Sequence, residues 1–337
     1  MITVMMLAYN ECDIIKAAIQ SFRLFSDIDI SFILIDNGST DGLQEWASEQ
    51  ADLTYVLMDE GPIGWGKAVN MVKKELDIDT DILIIEGNYM LTPQCLSRMA
   101  KLLHEEDDIA GVCGSAKEVI GYEQLIGLSD EVKYAGRKKV MKPDSGAILW
   151  KKETLEEVGN FDEELHMWSK VVDDYCLRVI QADKTLLMGF NVLFGEVKTK
   201  NNIEYEKIDK DLLCDKWGMH YFNSVYNPNI IPLLDVQTDK GITVLEIGCD
   251  CGATLLEIKH RFPNAKVYGT EVNPQAASIA AHFAQVMVNN IEEKKLPFKE
   301  EMFDYIIFGD VLEHLHNPLE ILEYCRMFLK EGGEILA

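Results

Sequence analysis

Short apolar runs alternate with amphipathic stretches along the first hundred residues. Ile2–Leu7, Ile30–Ile35, Thr54–Met58 and Ile82–Ile85 are apolar runs of strand length. Between them, Asp13–Phe25, Asp41–Glu49 and Gly66–Leu76 read as helices, and Pro93–His104 follows as another with proline at its start. A strand–helix alternation of this kind predicts an α/β fold, with a mostly parallel sheet covered on both faces. Ligands of such sheets bind beyond the carboxyl ends of the strands. The loops at Ala8–Glu11, Asp36–Asp41, Asp59–Lys67 and Glu86–Tyr89 are therefore the places to look for chemistry.

The pattern changes between Lys198 and Lys240, where KTKNNIEYEKIDKD and DVQTDKG are polar and YNPNIIP is turn-rich. This predicts two domains, 1–220 and 221–337, with the boundary near residue 220. Alternation then restarts. Thr243–Ile247, Lys266–Gly269 and Tyr305–Phe308 read as strands, and a last strand begins at Glu334. Thr254–Arg261, Pro274–Phe283 and Pro318–Leu329 read as helices. The halves share a construction and no repeated motif.

Composition narrows the partners. The 337 residues are 47% hydrophobic and 26% charged, enough apolar material for two cores. A formal net charge of −25 repels phosphate backbones and anionic membrane surfaces, which argues against nucleic acid as a partner. No run approaches the roughly 18 apolar residues of a membrane span. The opening MITVMMLAYNE reads as a first strand and not a leader. The eight cysteines are scattered, and the Cys249-x-Cys251 pair lacks a second pair to complete a zinc pattern. They read as reduced thiols of a cytoplasmic protein.

Three strand ends of the first half carry a consistent chemistry. Tyr9, Asn10 and Glu11 follow the first strand, and Asp36 ends the second before a glycine turn. GPIGWGKAVN, containing Gly64 and Lys67, is a glycine-rich loop opening a helix. An aromatic face, an acid that accepts from a base N–H, and backbone N–H groups with a cation for phosphate together suit a nucleotide. With AYNE, IDNGSTDG, GWGKAVN, DSGAILWKKETLEEVGNFDEEL and DDYCLR in this order, residues 1–220 resemble the inverting family 2 glycosyltransferases of the GT-A fold. The resemblance implies a nucleotide-sugar donor. Tyr9 would stack near its base, Asp36 would hold the base edge, Lys67 would lie near the diphosphate, and Ser145 and Gly146 would line the acceptor side. A glycan or glycoprotein would be the acceptor.

Two positions depart from that family. Its D-x-D acids are replaced by Glu86-Gly87-Asn88, so a divalent cation (Mn or Mg) at Glu86 and Asn88 is expected to bind weakly or not at all. The E-D-x-D segment becomes Val171-Val172-Asp173-Asp174, which leaves Asp173, then Asp174, as candidates for the base that an inverting transfer requires. Where a histidine often follows the last strand, this chain has Glu196 and Lys198.

In the second half, VLEIGCDCGATLLEI is a strand, a glycine turn and a helix, and Glu271 ends the next strand. An acid about 20 residues beyond such a glycine turn grips ribose hydroxyls. With LPFKEEMFDYIIFGDVLEHLHNPLEILEYCRMFLKEGGEILA, residues 222–337 resemble the class I S-adenosylmethionine-dependent methyltransferases, a Rossmann-like fold. The resemblance implies that Glu246, Gly248 and Gly252 contact the amino-acid end of S-adenosylmethionine and Glu271 its ribose. Asn290 would lie near adenine, and Asp310, Leu312 and His314 on the methyl-transfer side. Asp250 replaces a usual glycine, which is tolerated if its φ is negative or left-handed. The family fold continues with further strands, so this domain is expected to be incomplete at its C-terminus, as a piece of a longer protein. The reading is a bifunctional, bacterial-type sugar-modifying enzyme. Its rival is a methyltransferase whose degenerate first domain only binds a glycan or nucleotide.

Overall fold

The computed structural model describes residues 1–59, 61–120, 122–131, 136–199, 205–219 and 222–337. The chain divides into two compact units, Met1–Leu213 and Cys214–Ala337. The boundary expected near residue 220 falls on residues outside those described.

The first unit opens with β1 (Ile2–Ala8), α1 (Cys12–Phe25), β2 (Ile30–Asp36), α2 (Leu43–Ser48), β3 (Thr54–Leu57), α3 (Trp65–Glu75) and β4 (Ile82–Glu86). It continues with β5 (Tyr89–Leu91), α4 (Cys95–Leu103), β6 (Ile109–Glu118), α5 (Tyr122–Glu131), β7 (Arg137–Val140), β8 (Ala147–Trp150), α6 (Lys152–Glu157), α7 (Trp168–Gln181) and β9 (Thr185–Glu196). Helix α8 (Glu206–Trp217) follows. The sheet order among the described residues is β3-β2-β1-β4-β8-β6-β9-β5, with β7 also on β9. The first four strands are parallel, and β8 pairs antiparallel to both β4 and β6.

Burial on both faces explains why β1 reads as an unbroken apolar run. Ile2, Val4, Met6 and Ala8 join Ile15, Ile19 and Phe22 of α1 in one core, while Met5 and Leu7 on the opposite face are buried as well. Ser39, Thr40 and Asp41 do not cap α2, whose N-cap is Gly42 in the left-handed region with no side-chain cap. They reach back to the β1–α1 loop instead.

The second unit contains β10 (Thr243–Ile247), α9 (Ala253–Arg261), β11 (Lys266–Glu271), α10 (Pro274–Ala280), β12 (Gln285–Val288), β13 (Phe303–Phe308), α11 (Pro318–Arg326) and β14 (Leu329–Leu336). All pairings in the order β12-β11-β10-β13-β14 are parallel. Alternate residues feed two cores. Val244, Tyr305 and Ile307 pack with Leu255 and Ile258 of α9. Leu245, Ile247, Ile306 and Phe308 pack with Ile321 and Cys325 of α11. The last strand begins at Leu329 and not at Glu334, because a register irregularity opposite Phe303–Tyr305 absorbs the Lys-Glu-Gly-Gly segment.

Candidate active site

Three loops at the carboxyl ends of β1, β2 and β3 are tied together by side chains. The Asn10 N–H donates to Ser39 Oγ at 2.7 Å, and Asn10 Oδ1 accepts from the Thr40 N–H at 3.0 Å. Asp41 Oδ2 accepts from the Cys12 N–H at the start of α1, 2.7 Å. Asn10 and Glu11 both take positive φ, 57° and 63°. Burial and the nearby Asp41 raise the Glu11 carboxyl. Just after β2, Asn37 binds Ile63 twice, accepting from its N–H at 2.9 Å and donating to its carbonyl at 2.8 Å. Asp36 is fully buried, with Oδ1 accepting from the Ser39 N–H and Oδ2 from the Tyr55 hydroxyl. Burial, then the bond to Asp36, pushes the Tyr55 hydroxyl well up.

These loops border a cavity of about 860 Å³. Its wall includes Tyr9, Glu86, Asn88, Tyr89, His166 and Glu196. Tyr9 is 41% exposed, so its ring is available to a flat ligand. Glu86 is deeply set beside Gly146, where a Cβ would overlap its Oε2. Burial first, and the Glu196 charge second, push the Glu86 carboxyl up to about 7. Asn88 donates to the Val197 carbonyl at 3.2 Å. Ser145 is buried, its hydroxyl donating to the Gly114 and Ala147 carbonyls. Two acids and an amide make a weaker set for a divalent cation than three acids, and among the described residues no group of three or more His, Cys, Asp or Glu is placed to hold a metal.

The glycine-rich loop lines the cavity through Pro62, Ile63 and Trp65, and its glycines also serve packing. A Cβ on Gly64 would lie 2.7 Å from the Leu165 carbonyl, and one on Gly66 would overlap the Asp162 carbonyl. The Trp65 N–H donates to the His166 carbonyl at 3.1 Å. The glycines thus let α3 meet the backbone of residues 162–166. Lys67 is half-buried and is not among the residues lining the cavity.

The two candidate bases also lie elsewhere. Asp173, 4% exposed, accepts from Lys142 at 2.8 Å and from Lys170 at 3.3 Å. Asp174, fully buried, accepts from Arg178 Nε at 2.9 Å, and that guanidinium also reaches the Val158 and Asn160 carbonyls. Neither aspartate lines the cavity.

The structure instead brings His166 to the wall, a residue the motifs passed over. Its Nδ1 is 2.9 Å from Oδ1 of the fully buried Asp209. Asp209 Oδ2 accepts the backbone N–H groups of His166 and Met167, at 2.9 and 2.6 Å. The imidazole stacks on Tyr205, with centroids 4.4 Å apart and planes within 5°. A lone histidine between two motifs, and an aspartate inside a charged run, gave no periodic signal.

In the second unit, a cavity of about 360 Å³ is lined by Glu246, Gly248, Asp250, Thr254 and Asp310, with Asn227 donating to Asp310 at 3.3 Å. Gly248, Asp250, Gly252 and Asp310 all have positive φ, so Asp250 does adopt the left-handed region. Glu246 is 4% exposed, and its Oε2 has no hydrogen-bond partner among the described residues. Burial pushes this carboxyl up to about 8; the Thr254 hydroxyl opposes the shift, and Asp250 and Glu271 add to it. Glu271 accepts from the Asp250 N–H and the Asn273 N–H, both at 2.9 Å, and so fixes the glycine turn. Asn290 caps the short turn Ile291–Glu293. Leu312 and His314 lie on the turn Leu312–His314, which has no buried residue. Asn290, Leu312, His314, Gly252 and Glu271 are not among the residues lining the cavity.

Comparison with known proteins agrees with this division. Residues 3–153 match the family model described as glycosyl transferase family 2, and residues 245–335 match one described as a methyltransferase domain. The chain is 28% identical over 138 residues to a mitochondrial ubiquinone biosynthesis O-methyltransferase of Dictyostelium discoideum, covering 36% of this chain and 41% of that protein. It is 34% identical over 122 residues to an uncharacterized protein of Methanocaldococcus jannaschii, covering 36% of this chain and 55% of that one. The chain thus spans about half the length of these relatives or less. The crystal structure of GalNAc-T7 with UDP, GalNAc and Mn2+ superposes with a TM-score of 0.51 at 12% identity, covering 64% of this chain and 48% of that one, a likeness of fold. The protein carries a glycosyl transferase family 2 domain of the GT-A fold. A methyltransferase domain of Rossmann-like fold follows it in the same chain. No helix among the described residues is long and apolar enough to cross a membrane.

Proposed function

We propose that the first unit transfers a hexosyl group from a nucleoside diphosphate sugar to a glycan or glycoprotein, with inversion at the anomeric carbon. The cavity of about 860 Å³ at the strand ends carries this reading, since it combines the open ring of Tyr9 with the acids Glu86 and Glu196. Tyr9 supplies the base platform, and Asn10, Asp36 and Asn37 hold the loops that frame it. Ser145 and Gly146 shape the wall behind Glu86. GalNAc-T7 was crystallised with UDP and Mn2+; here the donor set is weaker, and no step of the reading passes through a metal.

The second unit is proposed to bind S-adenosylmethionine. The unpartnered buried Oε2 of Glu246 fits an ammonium group, and the left-handed turn at Gly248, Asp250 and Gly252 lets backbone approach a ligand. Glu271 holds that turn, and Asp310 faces the same cavity. The cofactor would supply an electrophilic methyl group for a sugar or another small acceptor. Joining two modifications of one glycan raises effective concentration. Eight reduced thiols, seven of them buried, suit a cytoplasmic protein.

In the rival reading the first unit only binds, and the sequestered Asp173 and Asp174 take no part in a transfer. Calorimetric titration with UDP, GDP and S-adenosylhomocysteine, with and without Mn2+, tests both sites. Heat with a nucleoside diphosphate and with S-adenosylhomocysteine is expected. Absence of the first removes the donor site, and absence of the second removes the cofactor site.

A further inference from the structure

We propose that His166 is the catalytic base of the sugar transfer and that Asp209 is its positioning residue. This rests on the glycosyltransferase reading of the first unit. Three observations carry it.

The segment that bears His166 is rigidly held. Asn70 of α3 donates to the Phe161 carbonyl and to Glu163 Oε1, both at 2.9 Å, and accepts from the Phe161 N–H at 3.0 Å. Gly64 and Gly66 bring the α3 backbone against residues 162–166. The buried Asp209 takes the next two N–H groups. A catalytic group works best on such a fixed support.

The ring presents one nitrogen to the cavity. With Nδ1 bonded to the Asp209 carboxylate, the proton sits on Nδ1, and Nε2 keeps a lone pair. Nε2 has no protein partner among the described residues, and His166 lines the wall with its side chain 39% exposed. Stacking on Tyr205 fixes the ring plane. This is the base-and-orienter arrangement that hydroxyl activation requires.

The carboxylates nominated by the family pattern are engaged by Lys142, Lys170 and Arg178 away from the wall. His166 fills the vacancy. The acceptor oxygen forms a bond to the anomeric carbon. The bond from that carbon to the β-phosphate oxygen breaks, and its electron pair leaves with the nucleoside diphosphate. The acceptor proton passes to Nε2. Besides Asp209 and the tyrosines, the titratable groups on the same wall are Glu86, Glu196, Glu206 and Lys198.

The test measures nucleoside diphosphate release from a panel of UDP-, GDP- and dTDP-hexoses by the full chain, with water as acceptor. His166→Gln and His166→Ala are expected to lower kcat about 100-fold or more while KM changes little, the range for a lost general base. Added imidazole restores activity to His166→Ala. The acid limb of the wild-type pH–rate profile disappears in His166→Gln. Asp209→Asn lowers kcat with KM little changed, because the ring loses the carboxylate that orients it. Unchanged turnover in both His166 variants overturns the proposal. So does a loss that imidazole cannot restore with the acid limb retained, which would assign the limb to Glu86. If the wild type turns over no donor, the glycosyltransferase reading beneath it fails as well.

Discussion

Gly146 leaves the space that the Glu86 carboxylate fills. A Cβ at position 146 would overlap Glu86 Oε2 and lie 2.6 Å from the Tyr89 ring. The Glu86 N–H donates to the Gly146 carbonyl at 3.0 Å, so strand pairing and side-chain placement come from one contact. Gly146→Ala is predicted to destabilise the first unit by about 1–3 kcal/mol through overpacking. It should also weaken UDP or GDP binding measured by calorimetry, because Glu86 must leave its place. Wild-type affinity in this variant would separate Glu86 from the donor site.

Asn37 closes the other side of the cavity through its two bonds to Ile63. Asn37→Ala removes the two side-chain bonds to the partly buried Ile63 backbone and should cost about 1–2 kcal/mol. Chemical denaturation measures that cost. Amide hydrogen exchange should rise selectively at residues 61–64, since Asn37 holds the loop and not the sheet.

Glu246 couples stability to pH in the second unit. Its folded-state value of about 8 lies above the ordinary carboxyl range. The stability it contributes is full below that ordinary range and is lost as pH rises through about 8. Glu246→Gln should therefore melt above wild type by a margin that grows from pH 5 to pH 8 and then levels. The same variant should lose affinity for S-adenosylhomocysteine, because an amide cannot pair with an ammonium. In the wild type, that affinity should strengthen as pH rises toward about 8. Thermal melts and calorimetry across the range check both signs.

Asp174 is predicted to be structural. Its carboxylate is fully buried and anchors Arg178, which in turn reaches two carbonyls. Asp174→Asn should lower unfolding free energy by about 1.5–3 kcal/mol, the cost of a lost hydrogen bond to a charged, partly buried guanidinium. The folded fraction should keep its kcat. A fall in kcat without a fall in stability would return Asp174 to the chemistry.

Much of the fold could be read from periodicity. Strands β1, β2, β4, β10 and β13 are short apolar runs buried on both faces, and α1 buries Ile15, Ile19 and Phe22 at helical spacing. The region between α4 and α8 was illegible, because β6 to β9 pair across long separations in mixed directions. The candidate sites show the same split. Residues presented by a local turn, such as Tyr9, Glu86, Glu246 and Gly248, do line cavities. Residues whose surroundings depend on distant partners were not legible. Gly64 and Gly66 answer to the backbone at 162–165, Asp173 to Lys142, and His166 to Asp209, 43 positions away. Motif spacing carries no information about such partners.

The most direct test of the account is the anomeric configuration of the product, followed by proton NMR as the first turnovers of an α-linked hexosyl nucleoside diphosphate occur. The account predicts release of nucleoside diphosphate with the β-anomer appearing first. An α-anomer at first turnover would contradict inversion, and no release from any donor would contradict the glycosyltransferase reading.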